Sequence, residues 1–248
     1  MLDRDPDLVE MGASLPRGWQ FILLGADTKR SELREDGFPG LGVPMSNQGL
    51  SRIMLGGRSV QFLFDIPIGA SVQRASLIEN LKKRSGPDGE MQIVDVSHRL
   101  SVDGELAVVE IQTYLLFPGG RARTRNSLNS VSAPSGVVAT LTPDETLLFQ
   151  YSALGFNSHK IHIDKGYATA VEGFPGLVVN GGLITLLMTE FIKEQQQVVL
   201  NQITTKHFAP LFAGNLVSLA SRQMSNGWRV DAFDQNGVLA VQMEVNIK

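Results

Sequence analysis

Apolar and polar residues alternate from Ile93 to Leu100 and again from Leu106 to Leu116, on either side of Asp103-Gly104. The same arrangement returns near the end of the chain, where Trp228 to Phe233 and Val238 to Ile247 flank Asn236-Gly237. A period of two describes a strand with one buried face, and Asp-Gly and Asn-Gly accept the positive φ that tight turns demand. The pattern therefore predicts antiparallel hairpins in both halves. From about Gly182 to Gln197 the period changes. Leu183, Leu186, Leu187, Glu190 and Phe191 fall at helical spacings, and Leu, Ile and Met dominate the first three turns, so this helix is expected to be central and buried. A second helix is predicted to begin near Pro143, with Thr142 as cap, Pro143 in the first position and Glu145 closing a capping box.

The stretch from Pro118 to Val137 is rich in Gly, Ser, Asn, Arg and Pro and has almost no apolar periodicity, as a linker would. Its flanks repeat. Gly37-Phe38-Pro39-Gly40-Leu41-x-Val43 recurs as Gly173-Phe174-Pro175-Gly176-Leu177-x-Val179. Gly69-x-x-Val72-x-x-Ala75-Ser76 recurs as Gly214-x-x-Val217-x-x-Ala220-Ser221, and Gly104-x-Leu106-Ala107-Val108 as Gly237-x-Leu239-Ala240-Val241, in the same order. Two copies of one fold with unequal loops would leave this trace. The expected organisation is an N-terminal diverged domain over 1–120, a linker over 121–137 and a C-terminal domain over 138–248. An antiparallel sheet wrapped round one long buried helix is the hot-dog arrangement. The predicted class is thus α+β, a double hot-dog of two antiparallel sheets, with the first copy's helix reduced around Leu50 to Leu55.

Composition narrows the chemistry. With 43% hydrophobic and 19% charged residues, the chain of 248 residues has an ordinary globular composition, and no apolar run approaches the roughly 18 residues of a membrane span. The acidic start, Met1-Leu2-Asp3-Arg4-Asp5, lacks the basic and apolar segments of a secretory signal, which makes the cytoplasm the expected location. Cysteine is absent, so disulfides, thiolate metal sites and cysteine nucleophiles are excluded. A net charge of −3 and one short basic run, Arg121 to Arg125, argue against nucleic acid as a partner.

Polar residues gather most densely in Tyr151-Ser152-Ala153-Leu154-Gly155-Phe156-Asn157-Ser158-His159-Lys160-Ile161-His162-Ile163-Asp164, followed by Tyr167-Ala168. This segment resembles the site motif of the MaoC-like acyl-thioester hydratases and dehydratases, Ala-x-x-Gly-Asp-x-Asn-Pro-Ile-His-x-Asp before an aromatic-Ala pair. Ala153, Ile161, His162, Asp164, Tyr167 and Ala168 match it, whereas Asn157 stands where the general pattern has its catalytic Asp. The family's aliphatic pair, His-Gly and central helix correspond to Val178-Val179-Asn180-Gly181-Gly182-Leu183, with Asn180 in place of His. The mesaconyl-C4-CoA and 3-methylfumaryl-CoA hydratase branch is more similar still, in Phe156 to Asp164 and in Glu172 to Gly181, and the likeness spans most of the chain. The resemblance implies catalytic roles for His162 and Asn157 and substrate-binding roles for Tyr167, Val179, Asn180, Gly181 and Gly182. It also implies no separate cofactor, coenzyme A or a carrier-protein phosphopantetheine being part of the substrate.

Physical reasoning reaches a similar site. Adding water to a conjugated thioester needs a base near the water and donors for the enolate oxygen. His162 is the candidate base, and a helix beginning at Gly181-Gly182 offers unpaired N–H groups at its positive end. Asn157 can donate and accept hydrogen bonds but cannot carry a proton at neutral pH. The pocket is expected between the halves, facing both His162 and the glycines. Thr189, two turns into the helix, either lines the acyl chain or bonds back to its own turn. Asp164 reads as a turn or capping residue. His159 and His162 have the spacing of a metal pair on a helix, but the segment reads as loop and no metal is expected. The leading expectation is a hydro-lyase acting on a small acyl thioester. A biosynthetic isomerase, cyclase or thioesterase, or a non-catalytic acyl-binding module, are the alternatives. The likeness of fold makes a homodimer the expected assembly.

Overall fold

A computed structural model describes residues 1–45, 50–86, 89–118 and 137–247. Nine strands form one antiparallel sheet: β1 (Arg52–Phe62), β2 (Val72–Gly86), β3 (Gly89–Val102), β4 (Glu105–Phe117), β5 (Val137–Leu141), β6 (Leu200–His207), β7 (Val217–Met224), β8 (Gly227–Phe233) and β9 (Leu239–Ile247). Their order is β2-β3-β4-β1-β6-β9-β8-β7-β5. Outward from the β1–β6 junction, each half places its first strand, then its fourth, third and second, with β5 added at one edge. This repeated topology is what the internal repeat predicted. The two expected sheets, however, are continuous, because β1 pairs with β6 from Gly57 opposite Lys206 to Gln61 opposite Gln202.

The β3–β4 hairpin turns on Asp103 and Gly104, both at positive φ (51° and 82°), as the dipeptide predicted. Its counterpart between β8 and β9 is wider. There the Asp234 carboxylate accepts the Asn236 and Val238 amides at 2.9 and 2.8 Å, and Gly237 supplies the positive φ.

Helix α1 (Glu145–Leu154) begins two residues later than expected, capped by Asp144 rather than Thr142, with Asp144 Oδ1 accepting from Leu147 N at 2.7 Å. Helix α2 (Lys160–Ile163) is a single turn and α3 (Gly181–Gln196) is the long central helix, closed by Gln197 in the left-handed conformation. Leu183, Met188 and Ile192 are fully buried in a core that draws on both halves, including Phe62, Leu100 and Val108 from the first and Leu219, Met243 and Val245 from the second.

The first half has no counterpart of α3 at the expected place. Arg52 to Leu55 belong to β1 and pair with Phe117 to Tyr114 of β4, because sheet pairing on this segment overrides any local helical tendency. There Phe38, Leu41, Leu50 and Ile53 instead lie over Val94, Val96 and Leu116, a second small core. Of the predicted linker, 121–136 lies outside the described residues, and Val137 opens β5. No helix among the described residues is long and apolar enough to cross a membrane.

Candidate functional site

The segment after α1 is shaped by local hydrogen bonds. Phe156 turns the chain at φ 48°, and Asn157 Oδ1 then accepts the His159 amide at 3.1 Å, an Asx turn that launches α2. The predicted loop therefore contains one helical turn, with His159 at its start and His162 on it. Asp164 closes it, its carboxylate accepting the Tyr167 amide at 2.9 Å.

His162 is buried, and its Nδ1 lies 2.7 Å from the Val178 carbonyl oxygen. A carbonyl only accepts, so Nδ1 carries the proton and Nε2 is left with a free lone pair. Burial, and then the neighbouring His159, push the imidazole down to about 3 against the opposing Val178 bond. At neutral pH the ring is a neutral base. Val178 is itself fixed, its amide donating to Ile161 O at 2.9 Å, while the Val179 amide donates to Leu211 O at 2.8 Å. Gly181 follows Val178 by three positions, about 10 Å at full extension, which ties His162 to the start of α3.

That helix start is uncapped by its own residue. Asn180 occupies the N-cap but makes no capping bond; it is buried, and its Nδ2 donates to Ser152 Oγ at 3.2 Å while Oδ1 has no partner. The first amides of a helix need acceptors from elsewhere. The two glycines stand in crowded surroundings. A Cβ on Gly182 would collide with the Tyr151 hydroxyl, and one on Gly181 would lie 2.9 Å from Leu55 Cδ2. Burial raises the Tyr151 phenol to about 12, against the pull of Arg58, so it stays protonated. Arg58 Nε forms a buried ion pair with Glu110 Oε1 at 3.0 Å, and Phe21 stacks on Tyr151 at 4.7 Å.

The first half also reaches the site loop. Ser158 Oγ donates to Gly37 O at 2.6 Å, the Lys160 amide to Asp36 O at 2.8 Å, and Lys160 Nζ to Glu35 O at 2.7 Å. Asp36 Oδ2 stands 3.7 Å from His159 Nε2, and Arg34 grips the same carboxylate, with Nη2 3.0 Å from Oδ2. Burial lowers His159 to about 4, with Asp36 pulling against that shift and Arg34 adding to it. Periodicity did not identify Arg34, Asp36, Arg58 or Glu110. One signal was present: an acid precedes both copies of the repeated motif, Asp36 before Gly37 and Glu172 before Gly173.

Other residues singled out in the sequence are distributed as follows. The Tyr167 hydroxyl donates to Glu172 Oε1 at 3.3 Å, and its ring packs with Ile161, Phe174 and Val178. Val179 is buried in the main core. The Thr189 hydroxyl donates to Thr185 O at 2.7 Å and lies 3.7 Å from Met243 Sδ. An open groove of about 200 Å³ is lined by first-half residues, among them Glu32, Arg34, Phe38 and Ile53. His162 and the glycines are not in its lining, so it is not the pocket expected between the halves.

A family model described as hydroxyacyl-thioester dehydratase type 2 matches residues 18–213, well over half of the chain. Mesaconyl-C(4)-CoA hydratase of Chloroflexus aurantiacus is 29% identical over 236 residues, 94% of this chain and 84% of that protein. The mitochondrial hydroxyacyl-thioester dehydratase type 2 of Schizosaccharomyces pombe is 26% identical over 252 residues, 89% of this chain and 81% of that one. Among solved structures, HtdX of Mycobacterium tuberculosis superposes with a TM-score of 0.63 at 17% identity, over 84% of this chain and 80% of that chain. Another protein of that organism, described as having a double hotdog fold, gives 0.50 at 12% identity over 81% and 76%. Both likenesses concern the fold, which is a double hot-dog of α+β class.

Proposed function

We propose, for a chain that belongs to the hydroxyacyl-thioester dehydratase type 2 family and is a hydro-lyase acting on acyl thioesters, that His162 is the general acid–base of the reaction. The observation that carries this reading is the 2.7 Å bond from His162 Nδ1 to the carbonyl of Val178, two residues before the α3 N-cap, which leaves Nε2 as a proton acceptor. In hydration, His162 Nε2 takes a proton from water as the water oxygen bonds to Cβ of the unsaturated thioester. The electron pair of the double bond moves toward the carbonyl oxygen, giving an enolate. Backbone N–H groups at Gly181 and Gly182 hold that charge, where glycine admits close approach and the helix end is positive. His162 then returns the proton to Cα, so that one water has been added and the base restored. Dehydration follows the same steps in reverse.

Asn157 orients the site loop through the His159 amide and, in this reading, the water or the substrate carbonyl as well. Tyr167, Val179 and Asn180 bound the acyl site. Thr189 stands apart, since its hydroxyl is committed to its own helix. The acyl carrier is coenzyme A or a phosphopantetheine arm, no other cofactor takes part, and the working form is a cytoplasmic homodimer. Light scattering of the purified protein tests the last point.

The decisive test is a mass-spectrometric screen of acyl-CoA thioesters for gain or loss of water, run beside His162→Ala. Turnover by the wild type and its loss in the variant support the reading. Because Asn157 brings no carboxylate, a second outcome has a definite form: double-bond migration or thioester cleavage without net hydration would assign an isomerase or thioesterase instead.

A further inference from the structure

Two buried histidines lie side by side in the site loop, and the reaction just described uses one of them. The His159 and His162 rings meet edge to face, with centroids 5.6 Å apart and an interplanar angle of 89°. On its other side His159 packs against Phe38 at 5.4 Å, and its Nε2 faces the Asp36 carboxylate. Both of those residues belong to the first half, Asp36 123 and Phe38 121 positions away along the chain.

The carboxylates of the site loop itself are placed elsewhere. Asp164 is turned to the Tyr167 amide, and Glu172 is paired with Arg52 at 2.8 Å and receives the Tyr167 hydroxyl. Asn157 is neutral. Asp36 is held on three sides, by Arg34, by the Phe38 amide at 2.9 Å on Oδ1, and by the turn whose Gly37 carbonyl accepts Ser158. A Cβ on Gly37 would strike the Ser158 carbonyl, so the two halves meet there at backbone distance.

We propose that Asp36, acting through His159, is a positioning residue for His162: the first half supplies the fixed carboxylate against which the catalytic ring of the second half is oriented. This rests on His162 being the base. The His159 ring, wedged between Phe38 and His162 with Nε2 facing Asp36 at 3.7 Å, blocks rotation of the His162 imidazole and keeps its Nε2 on the substrate side. When His162 takes up its proton, the ring becomes a cation in a buried place, and the Asp36 carboxylate stands behind His159, the ring it meets edge to face. Arg34 keeps that charge in place. No bond is made or broken at Asp36 or His159.

The test uses the full-length protein and whichever acyl-CoA the screen identifies. Asp36→Asn should lower kcat by about ten- to a hundredfold, the usual effect of removing an outer-shell partner, while KM stays within about twofold. Asp36→Glu should recover most of the lost kcat. His159→Gln, which leaves the Arg34–Asp36 pair intact, should show the same split between kcat and KM, and it serves where Asp36→Asn does not fold. A structural role alone would lower Tm and leave kcat and KM unchanged in the folded fraction. Wild-type kcat in either variant, or no recovery with glutamate, overturns the proposal. If His162→Ala abolishes turnover while Asp36→Asn does not change it, this inference fails and the reading of the site stands. If His162→Ala is fully active, the reading of the site fails first.

Discussion

The two copies of Gly-Phe-Pro-Gly-Leu lie in different surroundings. The second copy, Gly173 to Leu177, runs through Val178 and Asn180 straight into α3, and so sets both the partner of His162 and the helix end beside it. The first copy, Gly37 to Leu41, leads to no helix among the described residues before β1; it covers the first half's strands with Phe38 and Leu41 and presses Gly37 onto the site loop. Yet the acid before each copy reaches across the molecule. Glu172 pairs with Arg52 of β1, whose guanidinium also lies 5.7 Å from the centre of the Phe174 ring, while Asp36 faces His159. The acid ahead of each copy thus contacts the other half of the molecule.

The largest expected effect separates chemistry from scaffold. His162→Ala should lower turnover by a factor on the order of 10²–10⁴, the contribution of one general acid–base group, when measured at saturating thioester so that binding is not mistaken for rate. The same variant reports on acid stability. All four histidines of the chain, His98, His159, His162 and His207, are held below their ordinary value, burial being the first cause in each. A histidine whose folded pKa is depressed binds fewer protons when folded than when unfolded, so its contribution is present above the unfolded value near 6.5 and is lost as pH falls below it. For His162 the losing window runs from about 6.5 down to about 3. Each such group removes up to about 1.4 kcal/mol per pH unit inside its window. Melting temperatures should fall steeply on acidification, and His162→Ala should have the shallower slope. An equal slope would mean that His162 is not held neutral.

A pair of glycine variants sharpens the comparison within the first copy. Gly37 and Gly40 both have positive φ, 77° and 100°. A Cβ at Gly40 meets nothing within 4 Å, so Gly40→Ala carries only backbone strain, roughly 1–2 kcal/mol. Gly37→Ala adds a collision with the Ser158 carbonyl and must push the first half off the site loop. It should therefore cost more stability in a denaturant titration and also lower turnover, which Gly40→Ala should not. Equal losses in both assays would mean that the contact at Gly37 has no bearing on the site.

Much of this architecture was legible because it is local or repeated. The central helix shows itself in Leu183, Leu186 and Leu187, the first hairpin in Asp103-Gly104, and the duplication in residues that recur in order. What escaped is set by contacts between distant segments. Leu50 to Leu55 carries apolar residues whose spacing does not announce a strand; pairing with β4 decides it. The single sheet depends on β1 meeting β6, which no periodicity encodes. His162, Asn157 and the Gly181-Gly182 pair stood out as types of residue in a pattern. Asp36 did not, since its partner is 123 positions away and its own neighbours look like an ordinary charged turn.

The smallest expected effect tests what Asn157 contributes. Its Oδ1 accepts the His159 amide at 3.1 Å, and a carboxylate oxygen accepts the same bond, so Asn157→Asp keeps the turn that launches α2. The new group differs by a negative charge close to two buried histidines. That charge should make both rings easier to protonate, moving the acid limb of the kcat/KM profile upward while turnover at pH 7 stays within a few-fold. Asn157→Ala, by contrast, removes the acceptor and loosens the turn, a loss of about 1 kcal/mol of the kind seen when a local cap is deleted. If Asn157→Asp abolished turnover instead, the amide N–H₂ group would be the essential feature, holding the substrate as a donor. Asn157 would then belong with the binding groups at Gly181 and Gly182 rather than with the turn that carries His162.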